Sequence, residues 1–162
     1  MEEFVFKDYG IFTNGEITVA VSQKNPGRVE RGISPSYDFA IRLPGKNVPI
    51  GRVSLRIGDT DELNLYTGHI GYGINNRYRG HHYAAKACNL IRPVALDYGY
   101  SMLWITCRPD NYPSRRTCEL LGCELVEIIE LPKSHEGYRR GETHRCRYRW
   151  NIADNEDLAR SK

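Results

Sequence analysis

The clearest periodicity in the chain lies between Tyr83 and Tyr98. Ala84, Ala87, Cys88, Ile91, Val94, Ala95 and Tyr98 recur at three- and four-residue spacing, which gives a helix one apolar face. Pro93 falls inside that run and predicts a kink near residues 89–92, because its ring removes one hydrogen bond and crowds the carbonyl four residues back. Gly99 ends the helix. A second, shorter helix is predicted from Pro113 to Leu121, stopped by Gly122. Elsewhere the pattern has period two or is a short apolar run. Residues 15–22, 37–43, 50–57, 68–74, 102–107, 124–131 and 144–152 read as strands. In the last of them Cys146, Tyr148 and Trp150 fall on one side. Arg145, Arg147 and Arg149 fall on the other, as a solvated stripe. Pro44 to Asn47 supplies a hairpin turn, Asp59 to Glu62 a polar turn, and the Pro/Gly-rich residues 23–36 a loop. This order predicts an α/β (α+β) fold with a mixed central sheet flanked by helices, in one domain over residues 1–152 with a polar tail over 153–162.

Composition narrows the class. A length of 162 residues with 40% apolar and 27% charged residues fits a soluble globular domain. No apolar run approaches the roughly 20 residues that span a bilayer. The N-terminus lacks a basic region followed by an apolar stretch, so a cytoplasmic protein is expected. The five cysteines, Cys88, Cys107, Cys118, Cys123 and Cys146, are odd in number and irregular in spacing, which predicts free thiols. No metal is expected: His81 and His82 are adjacent, and no cysteine pair has finger spacing. A net charge of +3 permits an anionic ligand without arguing for nucleic acid.

Candidate chemistry concentrates in Tyr72 to Ala84. A strand ending at Ile74 passes through a polar turn to Arg79-Gly80, and the long helix begins near Tyr83. A helix opening just after a strand aims several unpaired N–H groups at one spot, where its dipole favours a phosphate. Arg79, Gly80, His81, His82, Tyr83 and Ala84 therefore form a candidate pyrophosphate cradle. It is not the dinucleotide fingerprint, since no G-x-G-x-x-G is present.

Two blocks resemble the GNAT superfamily of acyl-CoA-dependent N-acyltransferases, and within it the branch of ribosomal-protein N-terminal acetyltransferases. The first is Tyr72 to Ala84, similar to the acyl-CoA loop, with Arg79, Gly80 and Ala84 in register and His82 where glycine is usual. The second is Asn111 to Cys123, similar to an Asn-x-x-Ser/Ala helix ending in Glu-x-x-Gly. Asn111, Ser114, Glu119 and Gly122 match there, while Cys118 stands where many members have tyrosine and Cys123 where they have an aromatic residue. The resemblance covers residues 37–131. Before it, the family places two helices after its first strand that help form the acceptor site; this chain has the Pro/Gly loop instead.

The resemblance implies transfer of an acetyl group from acetyl-CoA to an amine borne by a small molecule or peptide, in a monomer or homodimer. It also implies that two central strands of the sheet splay apart, so that the amide-rich pantetheine arm would lie along Tyr72, Gly73 and Ile74 like an added strand, with an N–H near Gly73 or Ile74 for the oxyanion. Asn111 would cap its helix or touch the cofactor arm, and Ser114 would hydrogen-bond the sulfur. Cys118, in the tyrosine's place, would supply the proton to the leaving thiolate, or simply pack. His69, Glu62 and Tyr66 precede or enter the central strand and could face the acceptor; none is singled out as base. Two rival readings are a non-catalytic acyl-CoA-binding protein and, from the arginines among aromatics over 138–150, an RNA-binding module.

Overall fold

Short turns let the first strands pair in chain order. In the computed structural model, which describes residues 3–153, an antiparallel sheet is built from β1 (Phe12–Thr13), β2 (Thr18–Asn25), β3 (Ser36–Arg42), β4 (Gly51–Arg56) and β5 (Ile70–Ile74), in that order. The chain then crosses over through helix α1 (Tyr83–Asp97) to a second sheet. There β6 (Met102–Cys107) and β7 (Glu124–Glu130) both pair antiparallel with β8 (His144–Asn151). Helix α2 (Tyr112–Leu120) joins β6 to β7, and the short α3 (Glu136–Arg139) lies between β7 and β8. The expected mixed sheet is thus divided into two antiparallel ones. The expected tail lies outside the described residues from 154 onward.

One apolar cluster spans both sheets. Val19, Phe39, Val53 and Leu55 from the first sheet, Ile91 and Val94 from α1, and Leu103, Tyr148 and Trp150 from the second are all buried in it. Helix α1 runs unbroken through Pro93. Residues 23–36 hold less loop than expected. Strand β2 continues to Asn25, and the connection to β3 is a single 3-10 turn, Val29–Arg31, closed by a bridge between Arg28 and Ile33. No α-helix stands between β2 and β3.

The sheets meet at His69. Its N–H donates to the Trp104 carbonyl at 2.8 Å, and its Nδ1 accepts from the Trp104 N–H at 2.9 Å. Just before it, a π-type turn (Glu62–Thr67) brings Gly68 against β6 with φ 77 and ψ 161, a region that is essentially glycine's alone. A Cβ there would lie 3.0 Å from the Trp104 carbonyl oxygen.

His69 is 3% exposed, and burial pushes its imidazole down to about 4, against an opposing pull from the Gly58 carbonyl. The folded protein therefore holds it neutral at pH values where the unfolded chain, near 6.5, begins to bind a proton. Its contribution is full above pH 6.5 and is lost as pH falls toward 4. We expect chemical-denaturation stability to drop by up to about 3 kcal/mol over that window from this group. His69→Gln is expected to be less stable at pH 7 and to show a flatter pH dependence; an unchanged slope would contradict the assignment.

The arginine stripe of β8 is not free. Arg147 is 8% exposed, stacks on Trp104 at 3.9 Å, and donates to the Asn64 carbonyl and to Glu127. Arg145 pairs with Glu142 and Arg149 with Glu124. These three cations are committed inside the molecule, which removes the main support for an RNA-binding surface.

Candidate active site

Beyond the His69–Trp104 contact β5 and β6 part, and a cavity of about 950 Å³ opens between them. Its floor on one side is the free edge of β5. The Arg56 N–H bonds the His69 carbonyl and the Asn75 N–H bonds the Ile50 carbonyl. By antiparallel alternation, Gly71 and Gly73 then direct their backbone groups to β4, whereas Ile70, Tyr72 and Ile74 direct theirs into the gap. The sequence left Gly73 and Ile74 equal as oxyanion donors; the register leaves Ile74 and, two residues before it, Tyr72.

One end of the cavity is the expected cradle. Arg79, Gly80, His82, Tyr83 and Ala84 line it, while His81 does not and stacks on Tyr83 at 5.1 Å. Arg79 Nε donates to the Ile74 carbonyl at 3.0 Å, which ties the turn to the end of β5. His82 has φ 61 and ψ 29, a left-handed conformation that glycine adopts freely and other residues seldom do. Its side chain makes no cap bond to the helix, so the first N–H groups of α1 have no side-chain acceptor there. The departure from glycine is therefore one of side chain only, and the backbone keeps the glycine-like turn.

Helix α2 closes the same end. Asn111 Oδ1 accepts from the Ser114 N–H at 3.2 Å, an N-cap, and both residues line the cavity. Ser114 Oγ lies 2.7 Å from the Tyr72 hydroxyl, which reaches across from β5. Cys118 sits one turn deeper, fully buried and outside the cavity lining, with its sulfur 3.9 Å from the Tyr72 hydroxyl. A hydrogen bond with Cys123, followed by burial, pushes the Cys118 thiol far above its ordinary range. Burial raises Tyr72 as well. Both groups hold their protons, and only Tyr72 and Ser114 face the cavity.

The other end is built from the π-type turn and the β7–β8 connection. Glu62, Tyr66 and Thr67 from the turn face His135, Glu136, Arg140 and Glu142. His135 Nδ1 accepts from the Gly137 N–H at 3.0 Å, which leaves the proton on Nε2, 2.8 Å from Glu62 Oε1. Thr67 Oγ1 donates to the same oxygen at 3.1 Å, so Oε2 stays uncommitted. Tyr66 packs on the His135 ring at 5.2 Å. Of the three residues named from sequence for the acceptor side, Glu62 and Tyr66 line the cavity, and His69 does not. Sequence reasoning missed His135, which lies 73 positions from its partner in a polar connection without a motif. It also missed Arg56, whose guanidinium lines the cavity from β4. Among the described residues no cluster of side chains could hold a metal ion, and no helix is long and apolar enough to cross a membrane.

Comparison with known proteins bears on this geometry. The family model described as "Acetyltransferase (GNAT) domain" matches residues 11–124. Among solved structures, an acetyltransferase of the GNAT family from Bacillus anthracis is 21% identical with a TM-score of 0.57, over 72% of this chain and 67% of that one. The ribosomal-protein-S5-alanine acetyltransferase from Vibrio fischeri is 18% identical with a TM-score of 0.58, over 74% and 63%. The Microcin C7 self immunity acetyltransferase MccE, solved with acetyl-CoA and AMP, is 22% identical with a TM-score of 0.56, over 72% and 61%. The present chain thus matches between 61% and 67% of the length of these proteins, and at such identities the likeness is one of fold. Comparison of the sequence with curated proteins finds no match.

Proposed function

The chain belongs to the GNAT family of acetyltransferases, and we propose that it carries the acetyl group of acetyl-CoA to the primary amine of an acceptor by direct attack on the thioester. The observation that carries this reading is the open edge of β5, with the N–H groups of Tyr72 and Ile74 facing the gap, running from the uncapped start of α1 to the Glu62–His135 pair. Backbone groups of that edge would bond the pantetheine amides as a neighbouring strand does. The first turn of α1 and Arg79 would hold the pyrophosphate.

In the reaction the amine nitrogen bonds to the thioester carbon while the carbonyl oxygen gains negative charge, taken up by the N–H of Tyr72 or Ile74. Glu62 Oε2 accepts the proton that the nitrogen loses, and the Nε2–H of His135 and the Thr67 hydroxyl steady the carboxylate through Oε1. The C–S bond then breaks, and the sulfur takes a proton from the Ser114–Tyr72 hydroxyl pair, which regains one from water in the open cavity while Glu62 releases its own to solvent. Tyr72 takes over the task that the sequence suggested for Cys118. The acceptor would approach from the end of the cavity lined by Glu62, Tyr66 and His135.

Acetyl-CoA should raise the melting temperature of the wild-type protein, and ATP or RNA should not; the reverse pattern would remove this reading. Cys118→Ala is expected to retain turnover near the wild-type value at saturating substrates, whereas Tyr72→Phe should lose roughly 10- to 100-fold, toward the lower range for a positioned proton donor. A large loss in Cys118→Ala with full activity in Tyr72→Phe would return the proton to the thiol. Acetyl-CoA binding with no acetylated product from any amine would leave a binding protein.

A further inference from the structure

Among the described residues six arginines line the cavity, and four of them have a carboxylate partner: Arg108 with Asp110, Arg116 with Glu119, Arg140 with Glu136 and Arg145 with Glu142. Arg79 and Arg56 have none within 4.0 Å among the described residues. Arg79 stands at the cradle, where the donor's phosphates would neutralise it. Arg56 stands at the opposite end and has no counterpart in that account.

Its surroundings are built for an anion. One end of the guanidinium is fixed: Nη1 donates to the Gly68 carbonyl at 3.0 Å and approaches that of Thr67 at 3.5 Å. Nη2 lies across Gly71, 3.0 Å from where a Cβ would stand, so the absent side chain makes the space for it. Asp38, on the neighbouring strand, is the opposite charge acting on it, but its oxygens are already engaged, Oδ1 by Ser54 at 2.6 Å and Oδ2 by Asn25 at 3.2 Å. Arg52, on the same face of β4, adds positive potential. Burial works against the Arg56 charge, so the site is held in a state that an incoming anion would relieve. Gly71 is one residue from Tyr72 and three from Ile74, which at ~3.3 Å per residue puts the guanidinium roughly 3–10 Å along the strand from the two gap-facing N–H groups.

We propose that Arg56 binds a carboxylate of the acceptor, and that the acceptor is an amine with a carboxylate a few bonds from the nitrogen, such as an amino acid or an acidic residue at a peptide N-terminus. This rests on the transferase reading above. A planar guanidinium with one edge fixed and the other open is suited to a carboxylate, and an amide in its place would leave the cation unpaired.

The test has two arms. In the first, matched pairs of amines that differ only in carboxylate against carboxamide are incubated with acetyl-CoA, and product is measured by mass for wild type, Arg56→Gln and Arg56→Lys. The carboxylate member should exceed its amide by tenfold or more in kcat/KM with wild type. That ratio should fall toward one in Arg56→Gln and lie between in Arg56→Lys. In the second, CoA-saturated protein is titrated by calorimetry with N-acetylated amino acids and with their methylamides, which reads the anion site without turnover. Wild type should bind the acids over the amides, and Arg56→Gln should lose the preference. Stabilisation by acetyl-CoA shows that each variant is folded. Equal rates or affinities for acid and amide, or a preference that survives Arg56→Gln, overturns the proposal. Carboxylate-selective binding without any acetylated product would instead count against the transferase reading alone.

Discussion

Replacing Gly68 by alanine is expected to lower the melting temperature by roughly 10 °C and the unfolding free energy by about 3 kcal/mol. Two separate costs add. The conformation at φ 77 and ψ 161 is open to glycine and strained for any residue with a Cβ, by about 1–3 kcal/mol. The new methyl would also stand 3.0 Å from the Trp104 carbonyl oxygen and 3.1 Å from the Thr106 nitrogen, both backbone atoms of β6, which is held by its pairing with β8. The position matters beyond stability, since Gly68 leads into His69, which bonds Trp104 across the two sheets. Forcing it outward should widen the gap between β5 and β6, so the alanine variant is expected to bind acetyl-CoA more weakly as well. A melting temperature within about 2 °C of wild type would show that the junction is not as tightly held as its geometry requires.

Glu62→Gln is expected to lower kcat by about 10³-fold with little change in the stabilisation given by acetyl-CoA. Glutamine keeps the size of the side chain and an oxygen that can still accept from His135 and Thr67, so the shape of the turn should survive. What it removes is the ability to take a proton from the attacking amine. Raising the pH should restore part of the lost rate, because an amine that is already neutral has less need of a base. His135→Ala should have a smaller effect, as the histidine steadies the carboxylate and does not receive the proton. If Glu62→Gln turned over at the wild-type rate across pH, the base would have to be sought elsewhere along the cavity.

Much of the fold could be read along the chain because its signals are local. The three- and four-residue spacing from Ala84 to Tyr98 marks α1, and the strand at Met102–Cys107 coincides with its apolar run. Gly122 ends α2 in the left-handed conformation that its place predicted. The splay of the central strands was expected only through the family resemblance; their full separation into two sheets beyond His69 and Trp104, 35 positions apart, has no local signal. The π-type turn was hidden for a related reason: Leu63, Leu65 and Tyr66 in a polar setting have no helical or strand period of their own, and the turn is held by Gly68 against β6. Arg147 looked like one of three solvated arginines by strand parity alone. Its burial comes from Trp104 and Asn64, which pack on it from other elements.

The candidate site divides in the same way. Its donor end follows from contiguous sequence, so Arg79 to Ala84 and Asn111 to Ser114 were visible as blocks, and all but His81 of the cradle line the cavity. Its acceptor end is assembled from β4, the π-type turn and the β7–β8 connection, and no spacing in the sequence announces that Arg56, Glu62 and His135 share one cavity. His82 and Cys118 show how a departure from a family pattern is absorbed. His82 keeps the backbone that glycine would have, whereas the hydroxyl missing at position 118 has a counterpart on Tyr72, beside Ser114.

The most direct test of the account is to incubate the protein with acetyl-CoA and a panel of amines spanning amino acids, peptide N-termini, polyamines and aminoglycosides, and to measure acetylated product by mass together with released CoA thiol. The account predicts at least one N-acetylated product, formed in step with free CoA, among the carboxylate-bearing amines, and sharply reduced in Glu62→Gln. Acetyl-CoA that binds without any product across the panel, or product that forms undiminished in Glu62→Gln, would contradict it.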